Sequence, residues 1–79
     1  MERNEIIETV NERLREEFEI DGELLPTLRL KDDLDIDSLD VVDVAVLVHE
    51  AFGISLSKEE LKRVKTLQDL YDVIENISQ

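Results

Sequence analysis

The sequence contains no cysteine and little proline, glycine or aromatic side chain: one proline, two glycines, two phenylalanines, one tyrosine and no tryptophan. Without cysteine the chain can form neither a disulfide bond nor a thiolate metal site. Its 79 residues suffice for one small domain with a modest core, so we expect residues 1–79 to form a single domain.

Basic residues are also scarce, because nine lysines and arginines stand against 21 acidic residues and give a net charge of −12. Nucleic acid is therefore not an expected partner, since its phosphates would be repelled. The charge suits proteins with basic patches, although a role in solubility alone is also open. No lysine or arginine occurs between Asp32 and Ser57. Four of the nine then follow closely: Lys58, Lys62, Arg63 and Lys65.

Long apolar runs are missing, so no segment is expected to span a membrane. Residues 1–5 have neither the basic nor the apolar stretch of a signal peptide. We expect a cytoplasmic protein that is a monomer.

Apolar periodicity predicts an all-α fold, a small four-helix bundle with three main helices and one short one. Ile6, Val10, Leu14 and Phe18 recur every four residues and mark the first helix. Residues 19–36 then read as a long loop, which several leucines pin to the core. Ser57 and Glu60 fit a capping box that opens a short helix over about 58–64. A second box at Thr66-Leu67-Gln68-Asp69 opens the last helix.

The second helix is predicted over residues 38–52, although its many valines favour strands. At 100° per residue the predicted core face consists of Val41, Val44, Ala45, Val48 and Phe52. The opposite, wet side consists of Asp40, Asp43, Leu47 and Glu50. A third, apolar strip of Leu39, Val42 and Val46 lies between them, and it fits either partner docking or packing beneath the long loop. Gly53 is the expected C-cap.

The most informative stretch is Asp37-Ser38-Leu39-Asp40 at the start of that helix. Backbone N–H groups without partners are expected there, so a phosphate on the Ser38 hydroxyl would sit at an anion site. The motif Asp-Leu-x-x-Asp-Ser-Leu-Asp over 33–40, followed by Glu-x-Phe-Gly-Ile over 50–54, resembles the modification site of acyl carrier proteins. The similarity covers nearly the whole chain.

That resemblance implies that Ser38 carries 4′-phosphopantetheine, transferred from coenzyme A by a phosphopantetheinyl transferase. The chain would then hold acyl groups as thioesters and present them to enzymes of fatty acid, lipid or polyketide synthesis that have basic docking patches. It would have no catalytic residue of its own. The implied recognition surface is Asp37, Leu39, Asp40, Val42, Asp43, Val46 and Glu50. The implied acyl pocket is lined by Val41, Val44, Ala45, Val48 and Phe52.

A serine at a helix start is commonly the N-cap residue, and this structural role is open for Ser38. Catalytic or metal-binding chemistry fits the sequence less well. A hydrolase would need a histidine base, and the only one, His49, lies eleven residues along the same helix. Asp33, Asp35 and Asp37 alternate like a calcium loop, but the required glycine and glutamate positions fail, so no metal site is predicted.

The resemblance leaves two alternatives open: a peptidyl or aminoacyl carrier, and an acidic helical adaptor without a prosthetic group. Asp35 departs from the family, which commonly has glycine two residues before the Asp-Ser pair. Aspartate tolerates a left-handed backbone better than most residues, so we expect the turn to survive.

Overall fold

The computed structural model describes residues 2–78, which fold into four helices. In chain order these are α1 (Arg3–Phe18), α2 (Asp40–Phe52), α3 (Lys58–Arg63) and α4 (Leu67–Ser78). Within residues 2–78 the only β pairing is an isolated antiparallel bridge between Arg29 and Thr66. The predicted all-α bundle, with three long helices, one short helix and a long α1–α2 connection, is confirmed.

The core lies between α1, α2 and α4. From α1 it takes the buried faces of Ile6, Val10 and Leu14, and from α4 those of Leu67, Leu70, Tyr71 and Ile74. In contrast, α3 buries no residue completely. None of the described helices is long and apolar enough to cross a membrane.

The long connection is ordered and follows the bundle closely. Three of its own side chains, Leu24, Leu30 and Ile36, are buried, which confirms the prediction that apolar side chains pin it to the core. The Leu30 N–H donates to the Lys65 carbonyl at 2.9 Å, and the Leu67 N–H donates to the Leu28 carbonyl at 3.0 Å. These two bonds fasten the connection to the segment between α3 and α4.

Side chains or special backbone positions define the ends of the helices. Ser57 and Glu60 form the predicted capping box, with bonds of 2.9 and 3.1 Å. Thr66 and Asp69 form the second, at 3.1 and 3.2 Å. Gly53 ends α2 at φ 70°, and its N–H donates to the His49 carbonyl.

Among residues 2–78, two residues other than glycine adopt the left-handed backbone. Asp35 does so at φ 57°, which confirms that aspartate can occupy this turn. Glu19 ends α1 at φ 51°, in a conformation that costs most side chains free energy. The sequence did not predict a left-handed residue at this position.

Two expectations about α2 were wrong. Leu47, assigned to the wet side, is only 7% exposed, because α2 also packs against α1 and its apolar face is wider than one arc. Regular helix begins at Asp40, two residues later than predicted, after a turn at Ser38 and Leu39 that the Asp37 side chain caps.

Candidate functional site

The turn that leads into α2 presents Ser38 on the surface, and its geometry is set by its two flanking aspartates. Asp37 Oδ1 accepts the N–H groups of Leu39 at 2.9 Å and Asp40 at 3.0 Å. Asp40 Oδ2 in turn accepts the Asp37 N–H at 3.3 Å. This is a reciprocal capping arrangement like those at α3 and α4. It holds the exposed Ser38 at a fixed place at the top of α2.

The prediction of an anion site at this helix start is therefore wrong. The N–H groups of Leu39 and Asp40 already donate to Asp37 Oδ1, and the Val41 N–H donates to the Asp37 carbonyl at 3.0 Å. Hydrogen bonds from the backbone of Asp40, followed by that of Leu39, hold the pKa of the Asp37 carboxyl below its usual value. A phosphate on Ser38 must find its partners elsewhere.

A groove of about 630 Å³ opens beside Ser38, between α2, α3 and the long connection. Its apolar lining comes from Leu30, Ile36, Val41, Val42, Leu61 and Val64. Its polar lining comes from Asp37, Ser38, Lys31, Lys58, Lys62 and Lys65. An apolar groove beside an exposed hydroxyl suits an apolar chain that is tethered to that hydroxyl.

The predicted acyl-pocket residues lie mostly behind this groove. Val41 lines it, whereas Val44 and Val48 are buried in the core and Ala45 and Phe52 are partly buried. Leu61 and Val64, which line the opposite wall, were not among the predicted pocket residues. Their helical spacing gave no sign that a groove would separate them from α2, since that depends on how α3 is placed.

The predicted recognition residues share an exposed side of the molecule. Leu39, Val42 and Val46 are 80, 58 and 50% exposed, so the apolar strip is not covered by the long loop. Asp37, Asp43 and Glu50 are exposed as well, and Asp40 is partly exposed. The result is an apolar strip edged by carboxylates, a composition typical of protein docking surfaces.

The remaining singled-out side chains lie away from Ser38. His49 is exposed towards the far end of α2, where its Nδ1 is 3.5 Å from Ser55 Oγ. Tyr71 is fully buried, and its hydroxyl donates to Asn11 Oδ1. Across residues 2–78, no group of three or more histidine or acidic side chains could hold a metal ion.

Comparison with known proteins agrees with this geometry. The family model described as "Phosphopantetheine attachment site" matches residues 5–74. An acyl carrier protein from Coprothermobacter proteolyticus is 36% identical over 77 residues, covering 96% of this chain and 94% of the relative. The chain belongs to the acyl carrier protein family. Another member, from Thermosynechococcus vestitus, is 35% identical over 77 residues, with 96% of this chain and 95% of the relative covered.

Solved structures support the same assignment of fold. The crystal structure of an acyl carrier protein from Thermotoga maritima superposes with a TM-score of 0.84 at 25% identity. The alignment covers 99% of this carrier and 92% of that chain.

The prosthetic group of this acyl carrier is 4′-phosphopantetheine, and the chain is a carrier without catalytic activity of its own. The site fits such a group, because an exposed serine hydroxyl stands at a capped helix start with an apolar groove next to it. When bound, the group supplies the thiol that a chain without cysteine lacks.

Proposed function

We propose that Ser38 is the attachment residue, and that the acyl groups held there as thioesters serve fatty acid, lipid or polyketide synthesis. The observation that carries this proposal is the exposed Ser38 at the edge of the 630 Å³ groove, in a turn fixed by Asp37 and Asp40. Ser38 needs no base beside it, since a separate transferase activates its hydroxyl.

The exposed side of α2 is the proposed docking surface, formed by Asp37, Leu39, Asp40, Val42, Asp43, Val46 and Glu50. Its proposed partners are a phosphopantetheinyl transferase and acyl-transfer or synthesis enzymes with basic patches. Carboxylates at the edge would steer such partners, while the strip of Leu39, Val42 and Val46 would supply the contact area. Encounter rates should fall as salt screens the charges.

The groove is the proposed acyl site, with Val41 on the α2 wall and Val44 and Val48 beneath it. Ala45 and Phe52, from the same predicted set, would support this wall without lining the groove. Each methylene that leaves water there would contribute about 0.8 kcal/mol. We further propose that residues 1–79 act as one domain, as a monomer and in the cytoplasm.

The test is to incubate the purified protein with a broad-specificity phosphopantetheinyl transferase, coenzyme A and Mg²⁺, and to weigh the intact product. We expect one added 4′-phosphopantetheinyl group on the wild type and on Ser55→Ala, and none on Ser38→Ala. Ser55 is the matched control because it is also an exposed serine near one end of α2. An adduct that persists in Ser38→Ala, or no adduct on the wild type, would reject the assignment.

A further inference from the structure

The groove beside Ser38 has an unusual rim. The chain has only four lysines, Lys31, Lys58, Lys62 and Lys65, and all four line this groove. None of the five arginines does. In a protein of net charge −12, every lysine side chain therefore lines one apolar groove.

None of these four ammonium groups forms a direct ion pair with a carboxylate of the described residues. All four lysines are exposed. In contrast, Arg3 and Arg29 pair with Asp72 and with Asp32 and Asp33. Clustered like charges repel one another, and here nearby carboxylates do not relieve that repulsion through direct contact. The arrangement leaves four cations able to meet an anion that enters the groove.

Lys58 and Lys62 lie on one face of α3, since their spacing of four residues places them one above the other, and Lys65 follows the end of that helix. Leu61 lies beside them on the wall of the groove. Lys31 reaches the groove from the long connection, which the bond between Leu30 and Lys65 holds against the end of α3. The floor is apolar and the rim is cationic along most of its length.

We propose that this carrier selects acyl groups whose far end bears a carboxylate, with the methylene chain on the apolar floor and the carboxylate at the lysine rim. The proposal rests on the assignment of Ser38 as the attachment residue. A carboxylate is costly to bury without partners, but at the rim it keeps water and gains ammonium groups. Lysines one turn apart would accept carboxylates on chains of slightly different length.

Other occupants fit the charges less well. A plain alkyl chain would use the floor but leave the lysines without a function. An acidic protein segment in the groove would meet the Asp37 carboxylate, which lines the groove and would repel it. A phosphate on Ser38 would follow the Asp37 carboxylate directly in the chain, and of the four lysines only Lys31 acts on that carboxylate.

The test compares matched cargoes on the intact protein. Suberoyl and octanoyl groups have equal carbon counts and differ by the terminal carboxylate, and each can be loaded from its coenzyme A thioester. Intact mass confirms that Ser38 is loaded before the measurement, so a failed attachment is distinguished from a failed specificity. The readout is the rate of thioester cleavage by hydroxylamine, divided by the rate for the free coenzyme A thioester.

We expect suberoyl to be protected about two- to fivefold more than octanoyl at low salt, the range typical of exposed ion pairs. Salt should remove the difference. Lys58→Gln with Lys62→Gln should remove it as well, whereas Arg63→Gln should retain it. Arg63 is the matched control, since it lies on the same short helix, is exposed and does not line the groove.

Three results would overturn the proposal: equal protection of the two cargoes, an equal effect of Arg63→Gln, or the same lysine dependence for the unacylated thiol. The last would mean that the rim holds the phosphate of the arm instead of the cargo. The unacylated protein has no thioester to cleave, so the rate at which its free thiol reacts with a maleimide is measured instead. Far-UV circular dichroism of each variant verifies that the helices are intact.

Discussion

The side of the bundle formed by α1 and α4 differs sharply from the side formed by α2 and α3. Seven side chains from α1 and α4 are buried, and the phenol of Tyr71 is enclosed and hydrogen-bonded to Asn11. Across the molecule, α3 buries none, and a groove separates it from α2. The α1–α4 side is held by burial, and α2 adds Val44, Leu47 and Val48 to the same core. In contrast, α3 is held by capping side chains and by backbone bonds between the residues that follow it and the long connection.

This division fits the proposed acyl site. A groove that admits a chain cannot also be filled by the protein's own side chains, so on this proposal α3 lacks the packing that would otherwise hold it. Its position depends instead on the Ser57–Glu60 box and on the bonds that join Leu30 to Lys65 and Leu67 to Leu28. Stability is thus supplied mainly by the α1–α4 half.

The sharpest test of this comparison is to remove the same side chain from each half. Leu14 is fully buried in α1, so Leu14→Ala should destabilise the protein by about 2–5 kcal/mol. Leu61 is partly exposed on the groove wall, so Leu61→Ala should cost about 1 kcal/mol. Urea unfolding followed by far-UV circular dichroism measures both. Equal losses would show that the two halves are packed alike.

A smaller effect is expected from the hydroxyl of Tyr71. Tyr71→Phe removes its hydrogen bond to Asn11 and should cost about 1 kcal/mol without changing the helix content. Asn11→Ala and the double variant complete a cycle that isolates the pair. A double variant that loses the full sum of the two single losses would contradict a direct interaction.

Ionisation of the Tyr71 phenol can be followed by absorbance and probes the α1–α4 half, because Tyr71 is the only tyrosine and the chain has no tryptophan. Burial raises the pKa of its phenol above the ordinary value of 10.0. A raised pKa means that this contribution to stability is complete below pH 10 and is lost as the pH rises through the folded value. Phenolate absorbance against pH measures the shift.

Local features could be predicted from the sequence because they depend on neighbours in the chain. Each of these features needs only a few residues and a known backbone preference: the capping boxes at Ser57 and Thr66, the C-cap at Gly53 and the turn at Asp35. The helices predicted from apolar periodicity were also confirmed, even the valine-rich α2. The attachment motif was recognisable for the same reason, since it is contiguous.

Tertiary placement could not be read from the same patterns. The burial of Leu47 depends on α1 crossing α2, and the groove depends on where α3 sits. Lys31 joins the three lysines of the α3 region only because the long connection folds back upon Thr66. A helical wheel assumes that α2 packs against one partner, whereas in this structure one side of α2 is packed against α1 and another side borders the groove.

The smallest expected effect concerns the cap of α2, which lies in the open half. The pKa of Asp37 is lowered by N–H groups that its carboxylate accepts, above all that of Asp40. A lowered pKa means that the cap contributes fully above the unfolded value of 3.8 and is lost as the pH falls through the folded value. Because Asp37 is exposed, solvent screens it and the change should be slight.

Asp37→Asn tests this, because asparagine can still cap the helix but has no carboxyl group to titrate. The wild type should be the more stable of the two near neutral pH, and the difference should shrink as the pH falls below 3.8. Asp43→Asn removes the same charge from α2 without touching the N–H groups of Leu39 and Asp40. It should stabilise slightly by relieving negative repulsion, and an acid-dependent loss like that at Asp37 would contradict the assignment of the cap.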